Sequence, residues 1–200
     1  MKKAKIAVLV SGGGTNLQAL IDSQNVVLNS GSIELVISNK ENVYALERAK
    51  KHNIYSVVIL KKQFASQDEY ENKMIKVLEE AKIDLIVLAG FMSILSEKFT
   101  SHFRNRIINV HPALIPSFCG KGFYGLKVHE AALSYGVKVT GATVHYVNEI
   151  PDGGQIILQK AVYVQDGDTP EVLQKRVMEE AEWIILPEAA EYVCKNIIEG

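Results

Sequence analysis

The sequence predicts an α/β fold, a mostly parallel sheet flanked by helices with an antiparallel C-terminal extension. Short apolar runs alternate with amphipathic segments through the first half, the pattern of successive β-α-β units. Two stretches rich in β-branched and aromatic residues, separated by a turn, then end that alternation, which marks antiparallel pairing.

The strands expected of the parallel part are Ile6–Val10, Ile33–Ile37, Ser56–Leu60, Leu85–Ala89 and Ile107–Val110. Between them Leu17, Leu20 and Ile21 share one helical face, as do Tyr70, Met74, Val77, Leu78 and Ala81, and both segments read as crossover helices. Lys138–Asn148 and Gln155–Gln165 are the antiparallel pair, punctuated by Pro151-Asp152-Gly153-Gly154. Thr169-Pro170-Glu171 places an N-cap candidate ahead of a proline at the first helical position and opens a terminal helical region. Pro187 is expected to break or kink that helix.

A length of 200 residues without a linker or repeat fits a single domain over 1–200. Lys plus Arg number 22 against 23 for Asp plus Glu, so no global field favours nucleic acid or an anionic membrane, and any anion site must be local. Cys119 and Cys194 lie far apart without C-x-x-C spacing, which signals neither a disulfide framework nor a zinc site and suits a reducing, cytoplasmic setting. His129-Glu130 is not H-E-x-x-H, because Leu133 fills the second histidine position. The apolar run after the basic start is too short for a secretory leader, and no stretch is long enough to cross a bilayer.

Ser11-Gly12-Gly13-Gly14-Thr15-Asn16 joins the first strand to the first helix. Glycines there let a ligand approach the backbone, and free N–H groups at a helix start attract an anion. The loop is neither G-x-G-x-x-G, since Leu17 takes the last glycine position, nor a Walker loop. The alternative is a plain connection capped by Thr15 or Asn16.

Asn109-Val110-His111-Pro112 carries the sharpest local signal. In extended backbone Asn109 and His111 project from one side, and Pro112 biases His111 toward that geometry. An amide and an imidazole at a strand's carboxyl end suit acyl transfer, where negative charge develops on an oxygen. A histidine satisfied by backbone in a proline-rich turn is the alternative. Asp152 reads locally as a turn former, although a carboxylate brought to His111 would raise the histidine pKa and lower its own. His145 alternates with apolar neighbours and reads as sheet packing; His52 and His102 read as surface.

Four segments in order, Ala7 to Leu20, Leu88 to Leu95, Asn109 to Pro116 and Asp152 to Ile157, resemble the phosphoribosylglycinamide formyltransferases over nearly the whole chain. The resemblance implies a Rossmann-like domain that moves a formyl group from 10-formyltetrahydrofolate, as co-substrate, to the amine of glycinamide ribonucleotide, without metal. Its ribonucleotide site would lie in the N-terminal half and its folate site in the C-terminal half. The resemblance places Asn109, His111 and Asp152 on the family's catalytic residues, with Asn109 and protonated His111 stabilising the oxyanion and Asp152 assisting proton transfer. Gly13, Gly14, Thr15 and Asn16 fall on its substrate-phosphate loop. Glu182 falls on a glutamate that contacts the ribonucleotide, a match that requires a one-residue shift. Met92, Ser93, Ile94 and Leu95, together with Gly141, Ala142, Thr143 and Val144, resemble the segments that hold the pterin. Gln67 stands near a position where a basic residue often assists the phosphate, with Lys61 or Lys62 as substitutes, and Ala113 stands where serine is common.

Partners implied are small molecules alone, with no nucleic acid or membrane, in a monomer or homodimer. A formyltetrahydrofolate hydrolase is the rival within this chemistry, but it carries an added N-terminal domain, whereas here the first strand begins by residue 6. Methionyl-tRNA formyltransferases share Asn-x-His-Pro but need a further C-terminal domain. A non-catalytic nucleotide-binding module is the rival of another class; it would bind phosphate without dependence on Asn109, His111 or Asp152.

Overall fold

The computed structural model describes residues 2–200. Seven strands form one sheet in the order β3-β2-β1-β4-β5-β6-β7: β1 Ala4–Val10, β2 Gly31–Ser38, β3 Tyr55–Val58, β4 Leu85–Leu88, β5 Ile107–His111, β6 Val139–Tyr146 and β7 Ile156–Tyr163. The first five run parallel, and β6 and β7 add antiparallel pairs. The third strand ends two residues earlier than its apolar run, although Ile59 N–H still donates to the Ser38 carbonyl at 2.9 Å.

Side chains on neighbouring strand residues point to opposite faces, so an apolar run buries both. Ile6, Val8 and Val10 of β1 enter one core with residues of α1 (Thr15–Ser23) and α7 (Trp183–Glu199). Ala7 and Leu9 enter the other with Tyr70, Met74 and Leu78 of α3 (Gln67–Glu80) and Phe99 of α4 (Glu97–His102). The period seen in Tyr70, Met74 and Leu78 is thus the face α3 lays on the sheet. Helices α2 (Tyr44–Lys51) and α5 (Leu126–Tyr135) present small buried faces, Ala45 with Ala49 and Val128 with Ala132, too brief to stand out as periodic runs.

Two features position the site. The connections from β1 and β4 leave in opposite directions across the sheet, and a crevice opens at such a reversal beyond the carboxyl ends of the strands. The second lies in the terminal helical region. Helix α6 (Pro170–Val177), capped by the Thr169 side chain as expected, passes into a π turn at Met178–Glu182 and then into α7. The expected break at Pro187 is corrected: the helix runs through it. Pro187 cannot donate to the Trp183 carbonyl one turn back and would crowd it. The π turn ends there, with Trp183 at ψ −11°, which tilts that carbonyl out of helical alignment. A π turn holds one extra residue without ending a helix.

Candidate active site

The glycine loop lies at the carboxyl end of β1. Gly14 is the N-cap of α1 with φ 71°, and no side chain caps the helix start; neither Thr15 nor Asn16 fills that role. A Cβ at Gly14 would lie 2.7 Å from Ala45 Cβ and 2.9 Å from its Cα, so the loop packs directly on α2. Arg48 of α2 donates through Nε to the Gly13 carbonyl at 2.9 Å, and Ala45 N–H donates to the Gly12 carbonyl at 3.2 Å. The uncapped N–H groups of α1 and exposed Gly12 and Gly13 form an opening suited to an anion.

Asn16 turns from the helix start toward the π turn and donates through Nδ2 to Glu182 Oε2 at 2.8 Å. Burial pushes the Glu182 carboxyl up to about 7, against the Asn16 hydrogen bond, which lowers it. The predicted loop residues and Glu182, 166 positions apart, therefore share one place in the fold.

Asn109, His111 and Asp152 converge as well, and a fourth residue joins them. Antiparallel pairing sets Asn109 opposite His145 of β6, and the Asn109 amide lies 3.2 Å from His145 Nε2. The Tyr146 carbonyl, 2.8 Å from His145 Nδ1, accepts from it, and Nε2 faces Asn109. Asp152, at φ 56° in its turn, reaches between the two histidines, with Oδ2 3.5 Å from His111 Nδ1 and Oδ1 3.6 Å from His145 Nε2. Its Oδ2 also accepts from Gly120 N–H at 2.8 Å. His145 is buried within β6, as its reading as sheet packing expects, and it also faces Asn109 and Asp152.

His111 donates through Nε2 to the Phe118 carbonyl at 2.8 Å, so both ring nitrogens face acceptors, as a cation would require. Burial opposes that cation and outweighs the carboxylate of Asp152 and the Phe118 carbonyl; with His145 adding to the effect, the His111 pKa lies below the ordinary value. The expected upward shift is therefore corrected: the side chain is 5% exposed, and desolvation dominates. Asp152 is lowered as expected. Burial acts to raise it, but the hydrogen bonds from His145 and Gly120 and the fields of both histidines prevail. His129 of α5 is wholly buried with neither ring nitrogen partnered among the described residues, and burial, with His111 nearby, pushes it down to about 4. His102 pairs with Glu79 on the surface.

An open cleft adjoins this cluster, walled by Asn109, His145 and Asp152, by Phe91, Ser93, Ile94 and Leu95, and by Val147–Pro151. Of the expected pterin residues, Ser93, Ile94 and Leu95 stand in its wall; Met92 sits beside them, half exposed, its N–H donating to Ser11 Oγ at 2.9 Å. Gly141, Ala142, Thr143 and Val144 do not line it. They lie inside β6, Thr143 and Val144 paired on both sides and Gly141 and Ala142 paired with β7, and a Cβ at Gly141 would stand 2.0 Å from the Lys160 carbonyl oxygen. Thr143 instead donates to the Ala113 carbonyl at 2.7 Å and accepts from Ile115 N–H at 3.1 Å, holding the turn after His111. The wall is built where β6 has ended and the chain is free to fold over the crevice. His145 and Val147–Pro151 escaped sequence reasoning; the Asn109–His145 register was the missing signal. Lys61 and Lys62 border a separate recess with Asn39–Asn42, and Gln67 bonds Glu71 and the Ile94 carbonyl.

Fold and site together define a class. The formyl transferase family model matches residues 4–190, and the chain belongs to that family. Its relatives within the family are more particular. The chain is 42% identical over 183 residues to the phosphoribosylglycinamide formyltransferase of Haemophilus influenzae, covering 92% of this chain and 84% of that protein. It superposes on the glycinamide ribonucleotide transformylase 1 structure from Symbiobacterium toebii with a TM-score of 0.90 at 38% identity, covering 97% of this chain and 89% of the other. The human trifunctional purine biosynthetic protein adenosine-3 is 46% identical over 198 residues, 99% of this chain, and the chain spans 19% of that longer protein.

Proposed function

We propose that this protein transfers the formyl group of 10-formyltetrahydrofolate to the amine of glycinamide ribonucleotide, giving formylglycinamide ribonucleotide and tetrahydrofolate. The observation that carries the proposal is the meeting of Asn109, His111, His145 and Asp152 beside an open cleft, in a chain whose relatives bear that activity's name. Gly13, Gly14, Thr15 and Asn16 would take the ribonucleotide's phosphate at the α1 start, with Glu182 against the same substrate. Ser93, Ile94 and Leu95, with Val147–Pro151 opposite, would hold the pterin.

The substrate nitrogen attacks the formyl carbon, and charge develops on the formyl oxygen. Asn109 Nδ2 is a donor in the cleft wall. His111 Nε2 becomes a second donor once the formyl oxygen displaces the Phe118 carbonyl from it. The Asp152 carboxylate compensates the charge of protonated His111. The attacking nitrogen then gives up a proton, which Asp152 helps to pass, through water, to the departing folate nitrogen as the C–N bond breaks. Small-molecule partners, a cytoplasmic setting and a monomeric or homodimeric state complete the reading.

Mass spectrometry of purified protein with both substrates, beside a control lacking the ribonucleotide, tests it. Formylated ribonucleotide is expected only with both present. Formate released equally in the control would replace the transferase with a hydrolase. Substituting His111→Ala or Asp152→Ala is expected to lower kcat by about 10²–10⁴-fold with circular dichroism unchanged.

A further inference from the structure

The segment from Gly90 to Ser96 has no regular secondary structure, yet it supplies Phe91, Ser93, Ile94 and Leu95 to the cleft wall. Loop backbone of this kind keeps a defined shape only if something outside it satisfies its polar groups. Ser11 and Asn39 each tie one point: Met92 N–H donates to Ser11 Oγ, and Asn39 Nδ2 donates to Ser93 Oγ at 2.9 Å. The far end is held from α3. Glu71, only 1% exposed, accepts from Ser96 N–H at 2.8 Å and from the Ser96 hydroxyl. It also accepts from Gln67 Nε2 at 2.5 Å, and the same Gln67 amide donates to the Ile94 carbonyl at 3.3 Å.

A carboxylate is an expensive group to bury, and these partners are all neutral donors. Its helix would stack as well with an apolar side chain at this place, since Tyr70, Met74 and Leu78 already fill the core below. The donors Glu71 collects belong either to the loop or to the residue one turn away that also holds the loop. Ser96 has a second task, accepting from Phe99 N–H at 3.3 Å as the N-cap of α4, so Glu71 fixes both the end of the loop and the start of the next helix.

We propose that Glu71, with Gln67 one turn before it, is a positioning residue for the formyl donor: it sets the conformation of residues 91–96 and thereby the shape of the pterin wall, touching no substrate itself. The inference rests on the transferase reading above. It predicts a selective effect, because the hydrogen bonds of Glu71 go to Ser96 and Gln67, and among the described residues none goes to the glycine loop or Glu182. A change that weakens binding of one substrate equally in ground and transition states raises its KM and leaves kcat in place.

The test is steady-state kinetics with each substrate varied in turn, on wild type, Glu71→Leu, Glu71→Gln and Gln67→Ala. Glu71→Leu keeps the bulk and removes the acceptors; it is expected to raise KM for the formyl donor about tenfold or more, with kcat and the ribonucleotide KM within about twofold. Glu71→Gln retains an acceptor for Ser96 N–H and can meet the Ser96 hydroxyl as donor, so it is expected to restore most of the loss. Gln67→Ala, on the partly exposed end of the pair, should raise the donor KM about threefold. An unchanged donor KM in Glu71→Leu, or an equal rise in both KM values, overturns the proposal. Should Glu71→Leu fail to fold, Gln67→Ala decides in its place, and an unchanged donor KM there overturns it. Absence of turnover in wild type itself would instead remove the transferase reading on which the inference stands.

Discussion

Glu182 is a carboxyl group in a place where the neutral form is the stable one. Its folded pKa of about 7 stands above the ordinary 4.5 because burial outweighs the Asn16 hydrogen bond. Below pH 4.5 the group is protonated in folded and unfolded chains alike and has no linkage effect. Between 4.5 and 7 the unfolded chain has lost the proton that the folded chain keeps, so stability falls as pH rises, by about 3 kcal/mol in all. Glu182→Gln, which can still accept from Asn16, is expected to remove that slope in denaturant titrations run from pH 4.5 to 8. An unchanged slope would mean that the carboxyl ionises normally in the folded protein. At this scale the sequence was legible where chemistry is local. Asn109 and His111 stand out as a polar pair two residues apart before a proline, whereas nothing near His145 marks it, because its role depends on which residue of β5 it faces.

At the scale of elements, the glycine loop and the π turn do the positioning. Gly14 combines a φ of 71° with a would-be Cβ 2.9 Å from the Ala45 backbone, so strain and overlap add. Gly14→Ala is expected to cost about 2–3 kcal/mol in a urea denaturation series; a cost near zero would mean that α2 yields easily. The parallel strands were readable because a strand buried on both faces is a continuous apolar run, and α1 and α3 because their buried faces repeat over several turns. The π turn was not. Its five residues, Met178–Glu182, carry no glycine or proline, and Pro187, which did stand out, acts upstream of itself through the carbonyl of Trp183. The absence of Gly141–Val144 from the cleft lining has a similar origin: strand-forming residues there mark a strand truly, but whether a strand borders an opening depends on its neighbours in the sheet.

At the scale of the whole molecule, the described residues form two apolar cores that share every central strand. Val8 and Val10 face one, Ala7 and Leu9 the other, so neither core can be lost while the sheet persists. A single cooperative transition is expected, with far-ultraviolet circular dichroism and hydrogen exchange of β1 and β4 amides giving coincident midpoints; separate midpoints would show that the two halves unfold as units. This coupling also explains why the fold class was legible when the meeting of the polar groups was not. Apolar alternation is recorded residue by residue along the chain, while Asn109, His145 and Asp152 meet only after β6 turns back beside β5. The chain has a single tryptophan, Trp183, the residue that directly follows Glu182 and shares a cleft with Thr15. Tryptophan emission therefore comes from one known location, and the protein carries its own optical probe of the α1 start with no label attached.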